Sequence, residues 1–386
     1  MKSSTMKYVI VRCEDRGPYG ERSATLLAGA KTPHLHQLAQ AGAAGAITFR
    51  NESRAIDRAR CHRSLLGLTP QDADGSPGRC YAAAANRTVE DGQTVWCCDL
   101  VTQRDGRIVD DIAGRITPKE SEVLIQALDD TLGSETRQWE AGRGRHHVLV
   151  VNDPALGPEA GATVEPPELL MGQSWKRHLP KGRGGEALKT LIEQVATILE
   201  SHPVNRVRVD LGENPANLIW LWGPAAAGPQ RSFADRTMLS GSIISTSFLL
   251  QGFARACSLG WKDGPPSMGE AALRRLMKTV SQALERHDFV YVHLVVDTSD
   301  PVERLCAMER IDQLLLKPLT DTLPSQGSWR LLAAVDDRAS GVVPFVAIGT
   351  GLPQQPAAAL NAQQAAESPL QFANGEGLFA WLIQKA

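Results

Sequence analysis

The chain has 386 residues, 42% hydrophobic and 22% charged, which is typical of a soluble globular protein with room for two domains. Its net charge of −2 provides no basic field that would indicate nucleic-acid binding. Apolar runs such as 289–296 are too short to cross a bilayer, and the first residues lack a secretion signal. With seven cysteines and no C-x-x-C pair, the sequence predicts a cytoplasmic protein with reduced thiols and no membrane contact.

Segments with strand and helix patterns alternate along the chain. The β-branched run Tyr8–Val11 predicts a buried strand. Thr117, Pro118 and Glu120 form a helix start, with an N-cap, a proline at the first helical position and a capping-box acid. Further helices are predicted after 31–33, through 188–199 and over 242–258, 270–286 and 377–385. Further strands are predicted over 147–151, 218–222, 289–296, 330–335 and 343–348, and a loop over 354–366. Continuous apolar strands alternating with helices predict an α/β fold with a parallel sheet covered on both faces.

Six stretches follow one another in a characteristic order: Asp110–Thr117, Leu179–Gly182, Leu199–Arg206, Asn214–Asn217, Ile219–Gly223 and His287–His293. Taken together, they resemble the archaeal-type cofactor-independent phosphoglycerate mutases. The resemblance implies an alkaline-phosphatase-like, mostly parallel sheet sandwiched by helices. Residues 1–72 and 214–386 would form the catalytic domain, and 73–213 a smaller inserted α/β domain.

The resemblance also implies a reaction and its cofactors. In this family two divalent metal ions, typically manganese, lie beside a serine nucleophile that carries a phosphoryl group between the 2- and 3-hydroxyls of glycerate. Two metals stabilise the attacking and leaving oxygens, and metal coordination activates the hydroxyl. The inserted domain closes over the substrate.

Two of the expected positions lie in the first 70 residues, and both hold other residue types. Glu14 replaces the metal-binding aspartate of a Gly-Asp-Gly turn, and Arg12 lies beside it. If the stretch Ser64–Gly67 anchors the alignment, the nucleophile position holds Arg58, or Ile56 if two residues are missing. Neither side chain can carry a phosphoryl group as serine does.

The remaining expected positions also differ. Asp297 is retained after its strand, but the histidine that should follow is missing. Asp336, Asp337 and Arg338 stand where the family has Asp-His. In the inserted domain, Pro167–Leu169 replaces Pro-His-Asp. The sequence therefore predicts a residual carboxylate site without metal histidines.

Three interpretations of this altered site remain open. Arginines (Arg12, Arg54, Arg58, Arg60, Arg63 and Arg338) could pair with Glu14, Asp297, Asp336 and Asp337 and so fill the former metal site with ion pairs. The same arginines could instead bind a phosphate or carboxylate ligand, because the guanidinium fork matches both. A third, less favoured interpretation is a zinc site formed by Cys13, Glu14, Cys61 and His62.

Four residues match family stretches that could contact a ligand: Arg145, His202, Asn205 and Arg206. For the last three, a helix cap and hinge is the simpler role.

The favoured hypothesis is a non-catalytic homologue that binds a protein partner or a phosphorylated metabolite between its domains, with no cofactor. The first alternative is a diverged phosphomutase or phosphatase that uses a divalent ion (Mn²⁺, Mg²⁺ or Zn²⁺). The second alternative is a structural subunit of a larger complex.

Overall fold

The structure is a computed structural model that describes residues 6–16, 25–48, 57–69, 72, 75–161, 164–336 and 341–384. The strands are β1 Lys7–Asp15, β2 Ala43–Thr48, β3 Thr94–Arg104, β4 Arg107–Asp110, β5 Arg137–Arg143, β6 His146–Val151, β7 Leu218–Ala226, β8 Gly241–Ser245, β9 Gly260–Asp263, β10 Phe289–Val296, β11 Trp329–Val335, β12 Val342–Gly349 and β13 Gln371–Phe372.

The α-helices alternate with these strands. They are α1 Leu26–Gly29, α2 Pro33–Ala41, α3 Arg58–Leu65, α4 Pro77–Ala84, α5 Pro118–Leu132, α6 Arg183–Ser201, α7 Pro203–Asp210, α8 Phe233–Thr237, α9 Phe248–Ala256, α10 Glu270–Arg286, α11 Pro301–Ile311, α12 Lys317–Thr322, α13 Ala362–Glu367 and α14 Gly375–Ile383.

The chain divides into two compact units. The larger comprises Met1–Pro70, Ser232–Leu250 and Ser258–Ala386. The smaller comprises Gln71–Arg231 and Gln251–Cys257. The smaller unit therefore interrupts the sequence of the larger one.

The larger unit is built on an eight-stranded sheet in the order β13-β2-β12-β11-β1-β10-β8-β9. β1 pairs in parallel with both β10 and β11, whereas β12 is antiparallel to its neighbours β11 and β2. Both faces of β1 are buried: Val9 and Val11 pack with α-helices on one side, and Ile10 is equally inaccessible on the other. This two-sided burial explains the continuous apolar runs in the central strands.

The smaller unit contains a five-stranded sheet in the order β4-β3-β6-β5, with β7 also paired to β3. All of these pairings are antiparallel. Apolar residues of α5 and α6, including Leu124, Leu128 and Leu188, are buried within this unit.

Locally encoded elements agree closely with the sequence predictions. Helix α5 begins with the predicted capping box, in which the Thr117 side chain accepts from Glu120 N–H and the Glu120 side chain accepts from Thr117 N–H. The predicted bounds of α10 and β10 match those observed. The mostly parallel α/β architecture is confirmed.

Three sequence predictions are corrected. Residues 242–245 belong to strand β8 rather than a helix, which begins only at Phe248. The loop predicted over 354–366 contains the start of α13, capped by Asn361. The boundary predicted at 213/214 lies too early, because β7 hydrogen-bonds with β3 and the smaller unit continues to Arg231. Within the described residues, no helix is both long and apolar enough to cross a membrane.

Candidate functional site

The larger unit buries a charged cluster near the carboxyl end of β1. Side chains alternate along a strand, so Arg12 and Glu14 face one side of the sheet, whereas Cys13 packs into the apolar core on the other. Parallel pairing places His293 of β10 beside Arg12. Asp336 follows β11 and donates its N–H to the carbonyl of Cys13, 3.0 Å away. We call Arg12, Glu14, Arg16, Arg58, His62, His293 and Asp336 the Glu14 cluster.

Arg12 and Asp336 form a bidentate ion pair inside this cluster. Nε of Arg12 lies 3.2 Å from Oδ1 of Asp336, and Nη2 lies 2.9 Å from Oδ2. The two side chains are 0% and 2% exposed. Burial raises the pKa of Asp336, which the charge of Arg12 only partly offsets. Burial opposes the charge of Arg12, but Asp336 keeps its pKa well above the usual value.

Glu14 uses both of its carboxylate oxygens within the cluster. Oε1 accepts from Nε of Arg16 at 2.6 Å and lies 2.8 Å from Nε of Arg58. Oε2 lies 3.0 Å from Nε2 of His293. Burial disfavours the ionised carboxylate, but Arg16 and Arg58, with the hydrogen bond from His293, hold its pKa well below the usual value. Glu14 is therefore a buried anion with two cationic partners.

The proton positions on His293 follow from its partners. A carboxylate only accepts, so Nε2 of His293 donates to Glu14, and Nδ1 accepts from the hydroxyl of Ser245 at 2.9 Å. The same hydroxyl oxygen accepts from Ser247 N–H at 3.0 Å. Burial lowers the pKa of His293 to about 4, with Glu14 opposing the shift. His293 is therefore neutral near pH 7.

This chain of contacts has the order hydroxyl, imidazole, carboxylate that also occurs in nucleophilic catalysis. Ser245 ends strand β8 and is 0% exposed. Its oxygen already accepts one hydrogen bond and its proton points to His293. A buried hydroxyl with both roles filled acts as a structural link between β8 and β10.

His62 completes the cluster from helix α3, whose N-cap is Asp57. Nη1 of Arg12 lies 3.0 Å from Nδ1 of His62, which also contacts the hydroxyl of Tyr291 at 2.9 Å. Nε2 of His62 lies 3.9 Å from Glu14. Burial and the charge of Arg12 lower the pKa of His62 well below its usual value. Within the described residues, Glu14, His62 and His293 bring one potential metal-ligating atom each to within 4.8 Å of one another.

The zinc set suggested by the sequence is not assembled. Cys13 faces the opposite side of β1 from Glu14, and burial raises its thiol pKa to about 12. Burial also raises the thiol pKa of Cys61, which lies outside the group of ligating atoms around His62. A thiolate is the metal-binding form, so both shifts oppose coordination.

The remaining predicted site residues of the larger unit are separated. Asp297 is exposed after β10, outside the group of ligating atoms, in contrast to the buried Glu14 and Asp336. Arg54, Ile56, Asp337 and Arg338 lie outside the described residues. Of the two nucleophile positions proposed from the sequence, only Arg58 is described, and it is the first residue of α3. Ser64 lies in the same helix, where its hydroxyl donates to the carbonyl of Cys61.

Arg145 lies in a second buried polar group, in the smaller unit. It is 8% exposed, donates to the carbonyl of Asp111 and lies 3.5 Å from the Asp111 carboxylate. Burial opposes its charge, but Asp99, Asp111 and Glu168 raise its pKa. Glu168, which the resemblance aligns with a family histidine, is 8% exposed and so belongs to this interior.

Asp99 of β3 is the centre of that group. It accepts from Nε1 of Trp222 at 2.8 Å, from the hydroxyl of Tyr81 at 3.2 Å and lies 2.7 Å from Nδ1 of His146. Burial disfavours the Asp99 carboxylate, yet His146 and Arg145 lower its pKa. We call Tyr81, Asp99, His146 and Trp222 the Asp99 cluster.

Of the other ligand candidates, His202 and Asn205 make structural hydrogen bonds. His202 ends α6 and begins α7, where its Nδ1 accepts from Val204 N–H at 3.2 Å. Nδ2 of Asn205 donates to the carbonyls of Leu199 and Ala216, and its Oδ1 accepts from Ala216 N–H. These bonds tie α6 to the segment before β7. Arg206 is exposed on α7.

Four buried residues in or near the site were missed by the sequence analysis. His293 and Tyr291 share the face of β10 that pairs with Arg12, and strand alternation could have indicated them. Ser245 was hidden by the prediction of a helix over 242–258. Asp15, 0% exposed and 3.7 Å from Arg304, had no motif to mark it.

Known proteins share this fold and match part of this sequence. A family model described as 2,3-bisphosphoglycerate-independent phosphoglycerate mutase matches residues 39–205. Among solved structures, a cofactor-independent phosphoglycerate mutase from Thermoplasma acidophilum has a TM-score of 0.58 at 23% identity, covering 98% of this chain and 99% of that one. The PH0037 protein from Pyrococcus horikoshii has a TM-score of 0.64 at 17% identity, covering 99% of both. These likenesses establish the fold: a two-unit α/β protein of the phosphoglycerate-mutase type.

Sequence relatives define the family more narrowly. A probable 2,3-bisphosphoglycerate-independent phosphoglycerate mutase from Geobacter sulfurreducens is 30% identical over 349 residues, 86% of each chain. The enzyme of that name from Methanosarcina mazei is 30% identical over 330 residues, 82% of this chain and 81% of the relative. The chain belongs to the 2,3-bisphosphoglycerate-independent phosphoglycerate mutase family. Its wider placement in the alkaline-phosphatase superfamily stays a prediction.

Proposed function

We propose that this chain is a non-catalytic member of its family that binds a protein partner or a small phosphorylated metabolite. The observation that supports this proposal most strongly is the pairing of arginines with both described carboxylates of the Glu14 cluster. Arg16 and Arg58 contact Glu14, and Arg12 contacts Asp336. The resemblance implies that the family's reaction uses carboxylates at these positions to bind metal ions.

The donor atoms of the cluster do not suit two divalent ions. Both oxygens of Glu14 and both of Asp336 accept from cationic or imidazole donors. The lone pair on Nδ1 of His293 accepts from Ser245. A metal would have to displace guanidinium groups, which remain positively charged at every accessible pH and would repel it.

The nucleophile position supports the same proposal. Arg58 offers no hydroxyl, and Ser64 and Ser245 are buried with their hydroxyls engaged. Covalent phosphoryl transfer needs an exposed, activated hydroxyl next to the metal. A scaffold whose described residues lack these reacting groups suits binding rather than turnover.

Metal content and turnover test this proposal together. The protein is exposed to Mn²⁺ and Zn²⁺, washed with metal-free buffer and analysed by elemental mass spectrometry, with the Geobacter relative as the matched control. We expect no stoichiometric metal and no interconversion of 2- and 3-phosphoglycerate by this chain. Two retained equivalents with turnover that Glu14→Ala abolishes would contradict the proposal.

One observation favours a second candidate, a diverged metal-dependent phosphotransferase or phosphatase. Glu14, His62 and His293 offer three ligating atoms within 4.8 Å, a set that suits a single Zn²⁺. This candidate predicts one equivalent of metal in the unmodified protein. The structural-subunit hypothesis remains a third prediction, without a surface assigned to it.

A gain-of-binding variant separates the first two candidates. If Arg16 and Arg58 exclude metal, the double variant Arg16→Ala/Arg58→Ala should gain one equivalent of Zn²⁺, and adding Glu14→Gln should remove it again. The control Arg60→Ala/Arg286→Ala removes two exposed cations from the same unit and should bind none. Equal zinc binding by the unmodified protein and the double variant would rule out exclusion by the arginines.

A further inference from the structure

The smaller unit contains a cavity of about 510 Å³ between α4, the end of α9 and the segment after β7. Arg79, Arg87 and Arg255 line it, together with Asn86, Thr88 and Gln230. None of its lining residues, all of them within the described part of the chain, is acidic. A cavity with three cations and no carboxylate in its wall favours an anion.

Arg79 provides the most buried of these charges, at 6% exposure. Its Nη2 donates to the carbonyls of Gly228 and Pro229, the latter 3.1 Å away. Across the described ranges, no carboxylate lies within 4.0 Å of it, and its Nε and Nη1 have no hydrogen-bond partner. Carbonyl oxygens fix the position of the guanidinium without cancelling its charge, and a rigid fork of donors remains available.

Arg255 reaches the cavity because α9 approaches α4 closely. A Cβ at Gly252 would lie 1.7 Å from the carbonyl oxygen of Cys80, so only glycine permits this approach. Nη1 of Arg255 donates to the carbonyls of Ala83 and Ala84 and to Oδ1 of Asn86. These bonds cap α4 with a cation, as the helix dipole favours.

Arg87 follows α4 and also lines the cavity. Its Nη2 donates to Gln138, and Nη1 lies 3.5 Å from Glu140. Its Nε is buried and has no hydrogen-bond partner among the described residues. Leaving a buried donor unpaired costs free energy.

We propose that this cavity binds a small phosphorylated molecule, with its phosphate held by Arg79 and Arg87 and its remaining polar groups by Asn86 and Gln230. Guanidinium groups from separate segments suit an ion with several acceptor oxygens and a double charge. The volume falls within the range of small-molecule sites, ~300–1,000 Å³. The site is independent of the Glu14 cluster and of whether that cluster catalyses a reaction.

Calorimetric titration with glycerol 3-phosphate at fixed ionic strength tests the proposal on the full chain. We expect saturable binding that Arg87→Gln weakens about 10-fold or more, because a charge-assisted hydrogen bond is lost. Ala83→Leu should abolish binding by filling the cavity from α4 while keeping every charge. Arg177→Gln removes an exposed cation from the same unit, outside the cavity, and should bind as the unmodified protein does.

Thermal melts establish that each variant is folded. If Arg87→Gln does not fold, Ala83→Leu still tests whether the cavity is the binding site. Absence of saturable binding would overturn the proposal. Equal affinity of Ala83→Leu, Arg87→Gln and Arg177→Gln for glycerol 3-phosphate would also overturn the proposal. If Glu14→Gln loses binding while both cavity variants keep it, the phosphate binds in the larger unit, and the proposal is again overturned.

Discussion

The Glu14 cluster of the larger unit and the Asp99 cluster of the smaller unit both keep carboxylates away from water, but with different partners. Glu14 and Asp336 each contact arginines directly. Asp99 instead contacts Tyr81, His146 and Trp222, and Arg145 acts on it only through its charge. One cluster consists of ion pairs, and the other of hydrogen bonds to aromatic side chains.

This difference determines what each cluster loses when one member is removed. Removing one member of a buried ion pair leaves an unpaired charge in a poorly polarisable interior. Removing the hydroxyl of Tyr81 leaves the donors of Trp222 and His146 in place around Asp99. The Glu14 cluster should therefore tolerate single substitutions much less well than the Asp99 cluster.

The largest effect is expected for Asp336→Asn, which leaves Arg12 fully buried without its anion. We expect the free energy of unfolding to fall by about 3–5 kcal/mol. Urea unfolding followed by circular dichroism measures the loss. The double variant Arg12→Met/Asp336→Leu should recover most of it, because an apolar pair of similar volume leaves no charge behind.

A loss below about 1 kcal/mol for Asp336→Asn would contradict this view of the cluster. It would show that Arg12 reaches water or another anion. A double variant as unstable as the single one would show that packing, rather than the unpaired charge, causes the loss.

A smaller effect for each group is expected from the protonation of buried histidines. Burial lowers the pKa of His293 from 6.5 to about 4, and burial lowers the pKa of His147 in the smaller unit to about 3. Below pH ~6.5 the unfolded chain takes up protons that the folded chain excludes, so stability falls as the pH falls toward ~4. A shift of the size seen for His293 corresponds to roughly 3 kcal/mol.

Urea unfolding at a series of pH values between ~7 and ~4 measures this loss. His293→Gln should flatten the curve in that window. Stability that stays constant down to the pKa range of carboxylates, near ~4.5, would mean that these histidines are not buried in neutral form. The depressed pKa of Glu14 adds a further loss only below that range.

The same two clusters show where sequence reasoning succeeded and where it failed. The resemblance placed Arg12, Glu14 and Asp336 in one site, because each belongs to or follows a recognisable strand. The Asp99 cluster was not predicted, because Tyr81, Asp99 and Trp222 come from three elements that meet only after folding.

The fold shows a similar limit. Capping residues and apolar spacing are local, so the start of α5 and both ends of α10 and β10 were predictable. Strand pairing depends on residues distant in sequence, so an apolar run does not predict which sheet the strand will join. For that reason β7 was assigned to the wrong unit.

The smallest effect compares two buried tyrosines, one in contact with each cluster. The hydroxyl of Tyr81 lies 3.2 Å from Asp99 and 2.7 Å from His146, whereas that of Tyr291 contacts His62 at 2.9 Å. Tyr81→Phe should cost about 2 kcal/mol, because a hydrogen bond to a charged group is lost, and Tyr291→Phe about 1 kcal/mol. Both substitutions remove one oxygen and keep the ring, so urea unfolding compares the hydrogen bonds alone. If Tyr291→Phe lowers the free energy of unfolding more than Tyr81→Phe does, the hydroxyl of Tyr291 also supports the Arg12–Asp336 pair. The Glu14 cluster would then depend on uncharged hydrogen bonds as well as on ion pairs.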